Sequence, residues 1–304
     1  MRTLAPLFFA LTAAIPRPAH AWWDAGHLVT AAIAYDNLSR EAKQSVDALA
    51  TELTGDYPYA SGFVSLATWP DDLKAEGVDL YNAWHYTLIP YNPEDVALPP
   101  IPDIDVVWAI DKHSGILDDA RTRATDKARS LAFLIHFVGD IHQPLHSTTL
   151  FTTAQPGGNL GGNRTRVLEP DADKPTNLHA TWDSTCGALE VLSDIRPYGA
   201  PKAALTAQEQ DRIRAAAAEI QAAWPAKRSS SIDDPSAWAQ ESHAIAVKDA
   251  YLDRFGQPRL GPPGEDGAIV LDDAYMDNCR AISQQQLALG GYRLAERLNR
   301  IWAY

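Results

Sequence analysis

Apolar residues recur at three- and four-residue spacing in six separate stretches of this chain, a periodicity that specifies helices packing one face inward. The stretches cover residues 25–35, 40–53, 128–138, 203–223, 236–247 and 276–302. Alternating patterns of the strand kind are scarce, and segments rich in proline or glycine at 98–102, 157–162 and 256–267 read as loops. No internal repeat, low-complexity tract or long linker divides the chain. The expected architecture is therefore all-α: a single mainly helical domain with long functional loops.

The first 21 residues are expected to lie outside that domain. Arg2, the apolar run from Leu4 to Ile15 and the small-residue site Ala19-His20-Ala21 together have the form of a secretory signal peptide. A spanning helix is the alternative, but about a dozen apolar residues interrupted by Pro6 fall short of the roughly 20 it requires. The domain expectation is a signal peptide over 1–21 and a functional domain over 22–304, beginning at Trp22. The product would be secreted or periplasmic, without a stable membrane anchor.

Loss of Arg2 and Arg17 with that segment moves the formal charge from -13 to -15. Such a surface is poor at gripping duplex DNA, whose non-specific binding depends on broad neutralisation by Lys and Arg. Phosphate would have to be attracted locally, and bound cations are one means. Acidity by itself also serves solubility. The two cysteines, Cys186 and Cys279, could form a disulfide in an oxidising compartment. They are too few for a cysteine-rich zinc site, so any metal must be held by histidine and carboxylate.

His136 and Asp140 stand four apart in the 128–138 helix and its continuation, and so project from one face. Pro144 should break or redirect that helix, bringing His146 to the same neighbourhood from a new direction. His179 and Asp183 repeat the four-residue spacing on a second expected helix. Imidazole and carboxylate are good zinc ligands, whereas magnesium prefers oxygen alone. Asp71, in Trp69-Pro70-Asp71, and His85, in Trp84-His85-Tyr86, lie beside aromatic residues; each read alone is ordinary surface or loop. A free amine at Trp22 and the Trp22 carbonyl could chelate a metal that His27 also reaches.

In combination these motifs resemble the zinc-dependent, single-strand-specific nucleases named S-one and P-one. The resemblance runs from the N-terminal Trp with His five residues later, through Trp-x-Asp and His-Tyr, to Leu-Ile-His-Phe-Val-Gly-Asp-x-x-Gln-Pro-Leu-His. Gly-Gly-Asn, Asn-Leu-His-x-x-Trp-Asp and Gly-Gly-Tyr-Arg-Leu-Ala complete it. It implies a helical phospholipase C/nuclease-type domain around three zinc ions. One zinc would be held by Asp71, His85, His136 and Asp140; a second by the Trp22 amine and carbonyl, His27 and the shared Asp140; a third by His146, His179 and Asp183.

The implied activity is hydrolysis of single-stranded DNA and RNA to 5'-phosphorylated products by zinc-activated water, with 3'-nucleotidase activity on 3'-mononucleotides. Asp71, Asp140 and Lys74 would serve catalysis, Lys74 by stabilising the transition state unless it is a solvated lysine. Tyr86 would stack a base unless it is a core aromatic. Asn163 would contact the base edge unless it is a turn residue or a glycosylated sequon with Arg164 and Thr165. Leu88 departs from the acidic residue of the fungal pattern, which weakens any base preference. His113, His142 and His243 fall outside the scheme and are left to surface, packing or ligand-supporting roles, His142 being the one placed to orient a ligand unless it is exposed to solvent. No obligate protein partner is implied. The competing readings are a zinc-dependent phospholipase C, expected to carry Glu at position 183, and a non-catalytic periplasmic zinc-binding protein.

Overall fold

The computed structural model describes residues 22–197, 202–226, 233–252, 260, 263–264 and 267–303. The expected signal peptide, and most of the expected loop at 256–267, lie outside the described residues. Among the described residues ten α-helices dominate: α1 (Asp24–Asp36), α2 (Arg40–Leu53), α3 (Phe63–Leu66), α4 (Trp69–Ala75), α5 (Val106–Asp118), α6 (Ala124–Ile141), α7 (Leu178–Asp183), α8 (Ala207–Ala223), α9 (Pro235–Ile245) and α10 (Asp273–Ile301). Among the described residues, no helix is long and apolar enough to cross a membrane.

Helix α6 is the axis of the molecule and packs against α1, α2, α3, α4, α5, α9 and α10. From Ser130 to Ile141 every residue is buried, so this part of the helix has no solvent face. A helix enclosed on all sides should be apolar all round, which makes His136 and Asp140 in its last turns conspicuous. The main core clusters Leu131, Leu134, Ile135 and Val138 with Val46, Leu66, Ile110 and Leu298. A second core joins α1, α8 and α10 through Leu28, Ile33, Ile213, Ile220 and Leu287.

The Gly-Gly pair near the end of the sequence explains how closely α1 and α10 approach. A methyl on Gly291 would fall 2.5 Å from Ile33 Cγ2, and one on Gly290 would fall 3.3 Å from the His142 ring. Two residues on, Arg293 donates from Nη1 to His142 Nε2 at 3.0 Å and from Nη2 to Glu241 Oε2 at 2.6 Å.

Strands are few and short. β1 (Pro90–Tyr91) runs parallel to β2 (Thr149–Leu150) with Pro90 opposite Thr149. β3 (Arg166–Leu168) lies between antiparallel β4 (Thr176–Asn177) and parallel β5 (Ile269–Val270). A third core of Val167, Leu178, Trp182 and Tyr275 lies beside the Cys186–Cys279 disulfide, which ties the 185–187 turn to α10.

Several boundaries differ from the expectations. Helix α8 starts at Ala207 rather than 203, because Thr206 and Glu209 form a reciprocal capping box. Helix α9 gives way after Ile245 to a π-helical turn, Ala246–Tyr251. Helices α3, α4, α5 and α7 have no counterpart among the six periodic stretches, α7 being expected instead from the spacing of His179 and Asp183.

Candidate metal centre

Three short elements deliver side chains onto the C-terminal half of α6. Helix α4 begins with Pro70 in its first turn, where a missing N–H costs nothing, and carries Asp71. A 3-10 segment, Asp79–His85, ends with His85. Helix α6 stops at Ile141, and Pro144 opens a second 3-10 segment, Pro144–Ser147, that turns His146 back toward Asp140. Across from it, Asn177 caps α7 by accepting the Ala180 amide at 2.8 Å, setting His179 and Asp183 on its inner face. Helix α1 contributes His27 from the other side.

All these groups are buried: His27 is 1%, Asp71 5%, His85 4%, His136 0%, Asp140 0%, His146 3%, His179 5% and Asp183 2% exposed. Asp71 and His85 are thus interior groups, not the plain surface that each suggests alone. Asp140 is the hub. Its Oδ2 lies 3.0 Å from His85 Nδ1 and 3.2 Å from His136 Nε2, and its Oδ1 lies 3.6 Å from both His27 Nε2 and His146 Nδ1. Asp71 Oδ1 is 3.7 Å from both His85 Nδ1 and His136 Nε2. At the far end, Asp183 Oδ2 is 3.4 Å from His179 Nε2 and Oδ1 is 3.8 Å from His146 Nε2.

Three of the imidazoles are oriented by what their other nitrogen does. His136 Nδ1 donates to the Ala67 carbonyl at 2.7 Å, His146 Nδ1 to that of His85 at 2.8 Å, and His179 Nδ1 to that of Gly161 at 2.7 Å. In the neutral ring those bonds fix the proton on Nδ1 and turn the Nε2 lone pair into the cluster. Nε2 of His27, His146 and His179 has no hydrogen-bond partner among the described residues. Buried nitrogens without partners are costly, and a divalent cation satisfies them; a donor on the second nitrogen is the usual companion of metal-bound histidine.

Three groups have their ligand atoms within 4.8 Å of one another: His27, Asp71 and His136; His85, His136 and Asp140; and His146, His179 and Asp183. These groups could hold metal ions, and their mixed nitrogen and carboxylate donors fit zinc. Charge follows the same geometry. Burial, with the neighbouring His136, pushes His27 down to about 3. Burial pushes His179 down to about 3 and raises the Asp183 carboxyl. Burial also opposes protonation of His136, but Asp140, Asp71 and the Ala67 carbonyl outweigh it and lift His136 to about 9.

Sequence reasoning passed over three contributors. Gly139 faces His27, where a methyl would meet Nδ1 at 2.7 Å. Gly161, at φ +60°, takes a backbone conformation suited to glycine, and a methyl there would sit 2.5 Å from the Leu145 carbonyl. Gln143 donates to Asp183 Oδ1 at 2.6 Å. All three stand inside quoted motifs, so their signal was present but had no assigned role.

Lys74 is half-buried on α4, and its positive charge acts on His179 and Asp183. Tyr86 is 40% exposed, so it is not a core aromatic. Asn163 is half-buried and donates from Nδ2 to the Leu160 carbonyl at 2.8 Å. The Trp22 side chain is fully buried, with Nε1 donating to the Gly139 carbonyl at 3.0 Å.

His142 takes the packing role and neither orients a ligand nor faces solvent. It is 1% exposed, and it bonds the Val138 carbonyl through Nδ1 and Arg293 through Nε2, not a cluster side chain. Burial, reinforced by Arg293, pushes it down to about 3. His113 is buried against Phe133 and paired with Ser130 Oγ, and His243 pairs with Thr148 Oγ1.

The sequence over residues 22–303 matches the family model described as S1/P1 Nuclease. This chain belongs to the S1/P1 nuclease family. It is similar to Endonuclease 3 of Arabidopsis thaliana, 27% identical over 93% of this chain and 89% of that protein. It is also similar to Nuclease P1 of Penicillium citrinum, 23% identical over 92% of this chain and 97% of that one. Nuclease S1 of Aspergillus oryzae is 26% identical over 58% of each chain. Membership in the S1/P1 family covers the whole described domain, and it favours the nuclease reading over the phospholipase C and zinc-storage alternatives.

Proposed function

We propose that this protein hydrolyses single-stranded DNA and RNA to 5'-phosphorylated products, with 3'-nucleotidase activity, using three zinc ions. The observation that carries the reading is the convergence of buried imidazoles on Asp140 and Asp183, with the Nδ1 protons of His146 and His179 held by backbone carbonyls and the Nε2 atoms of His27, His146 and His179 without a hydrogen-bond partner among the described residues. Asp71, His85, His136 and Asp140 would hold one zinc. The Trp22 amine and carbonyl, His27 and Asp140 would hold the second, with Asp71 near enough to join them. His146, His179 and Asp183 would hold the third.

Zinc bound there lowers the pKa of water from about 15.7 toward 7 and offsets charge on phosphoryl oxygens. The chain's own residues do the rest. Asp140 would offer Oδ2 on the side of His85 and His136 and Oδ1 on the side of His27. Lys74 approaches the His179–Asp183 end and stabilises negative charge gathering on the phosphoryl group. Tyr86 presents an exposed ring on which a base stacks, a contact indifferent to base identity. Asn163, its Nδ2 already committed to Leu160, offers its carbonyl oxygen to an amino group on the base edge. With Leu88 at the position of the fungal acid, base preference is loose. A base stacked on Tyr86 must be unpaired, which gives the preference for single strands.

The second zinc requires a free amine on Trp22, so activity depends on removal of residues 1–21 and export to the cell exterior or periplasm. The family match beginning at Trp22 supports that boundary. The test is an assay of the chain starting at Trp22 on single-stranded DNA, RNA, a 3'-mononucleotide and a short-chain phosphatidylcholine, with and without a zinc chelator. Chelator-sensitive release of 5'-phosphorylated products is expected. Turnover of the lipid alone would establish the phospholipase instead, and zinc binding without any turnover would establish a store.

A further inference from the structure

Two carboxylates stand beside the proposed ligands without joining the cluster. Asp24 opens α1, two residues after Trp22 and three before His27, and Asp72 follows Asp71 on α4. Lys202 Nζ lies 2.7 Å from Asp24 Oδ2 and 2.8 Å from Asp72 Oδ1. The Asp72 side chain is 2% exposed, Asp24 17% and Lys202 21%. Successive helical side chains diverge by about 100°, so drawing Asp72 toward Lys202 leaves Asp71 facing the histidines.

The base of Lys202 is itself held. Arg196, 8% exposed, donates from Nη2 to the carbonyls of Ala203 at 3.1 Å and Tyr59 at 2.6 Å, and from Nη1 to Thr68 Oγ1 at 2.7 Å. The Thr68 hydroxyl in turn donates to Asp72 Oδ2 at 3.4 Å. A continuous path of polar contacts thus runs from Arg196 through Thr68, Asp72 and Lys202 to Asp24. Two cations balance two carboxylates, as a largely buried network requires.

We propose that Lys202 is a positioning residue that cross-links the start of the domain at Asp24 to α4 at Asp72, so that Trp22, His27 and Asp71 converge on one metal. This inference rests on the zinc reading above for its consequence, but not for its geometry. Helix α4 is only seven residues long, and the processed chain would begin two residues before Asp24. Trp22 is anchored by its indole bond to the Gly139 carbonyl and α4 by Trp69 and Leu73 in the core; the Lys202 bridge is what joins these two segments to each other. The side chains of the His146–His179–Asp183 group are carried by other elements, which meet the start of the domain through the Trp23 amide donating to the Asp183 carbonyl at 2.9 Å.

The test compares the chain starting at Trp22 with Lys202→Met, which keeps the aliphatic stem, and Lys202→Arg, which keeps the charge. Amide hydrogen exchange is read first on metal-stripped protein. Lys202→Met should speed exchange about ten-fold at residues 23–27 and in α4 while α6 and α10 keep their protection, and Lys202→Arg should restore it. No change, or a uniform rise that includes α6 and α10, overturns the proposal. Zinc titration is read second: Lys202→Met should weaken the close pair at least ten-fold and leave the third ion unchanged. Selective exchange with unaltered affinity at the pair would overturn the alignment of ligands. If the parent binds no zinc, the metal reading fails, while the exchange result still decides the role of Lys202.

Discussion

Gln143 reaches across the turn after α6 to donate its amide to Asp183 Oδ1 at 2.6 Å, while its Oε1 accepts the Leu145 amide at the same distance. One side chain therefore fixes both the loop that carries His146 and the carboxylate that faces it. Replacing Gln143 with Leu should lower zinc affinity at the His146–His179–Asp183 group by 10–100-fold, the usual effect of losing a group that orients a ligand. Competitive zinc titration should show one weakened ion and two unaltered ones.

Gly139→Ala should act through space alone. The added methyl would meet His27 Nδ1 at 2.7 Å, forcing the imidazole or α1 to move in a closely packed region. The expected cost is about 1–3 kcal/mol of stability, measured by denaturant unfolding, with loss of nuclease activity at temperatures where the variant remains folded.

Tyr86 separates binding from stability. Its ring is exposed, so Tyr86→Ala should leave the melting temperature within a degree or two. It should weaken single-stranded substrate by about 1–3 kcal/mol, the range for one stacked base. Tyr86→Phe should restore KM. A loss of stability in Tyr86→Ala that matched the loss of activity would argue for a packing role.

His113 predicts a pH effect away from the metal centre. Burial, with Lys112 nearby, holds it down at about 4 against 6.5 when exposed, so the unfolded chain binds its proton more readily. Its contribution to stability is complete above pH 6.5 and is lost as pH falls toward 4, by about 3 kcal/mol in all. Replacing His113 with Phe should reduce the stability difference between pH 7 and pH 4 by that order.

The helices and most of the site could be read from sequence because their signals are local. Residues 40–53 carry a clear amphipathic period and a serine cap, and the observed helix has those limits. The pairs His136–Asp140 and His179–Asp183 follow directly from four-residue spacing. Helix α5 escaped because Asp111, Lys112, His113 and Ser114 interrupt its apolar period, although His113 is in fact buried. Helix α4 is too short to show a period at all. The ligand-orienting reading of His142 could have been set aside on geometry: six residues after His136, it lies about 240° further around a helix, away from the metal-facing side. The clamp made by Lys202 depends on contacts more than a hundred residues apart and has no local signature.

The Cys186–Cys279 bridge, left open by the sequence, closes 93 residues of chain. In the chain-entropy account a loop of that size contributes about 4–5 kcal/mol. Reduction should lower the melting temperature of the metal-loaded protein without changing its zinc count below the transition.

The most direct test of the central claim is an anomalous difference map at the zinc edge from crystals of the chain beginning at Trp22. Three peaks are expected: two flanking Asp140, one of them contacted by the Trp22 amine, and a third among His146, His179 and Asp183. A single peak, or none at Asp140, would contradict the shared-carboxylate cluster on which the proposed nuclease activity depends.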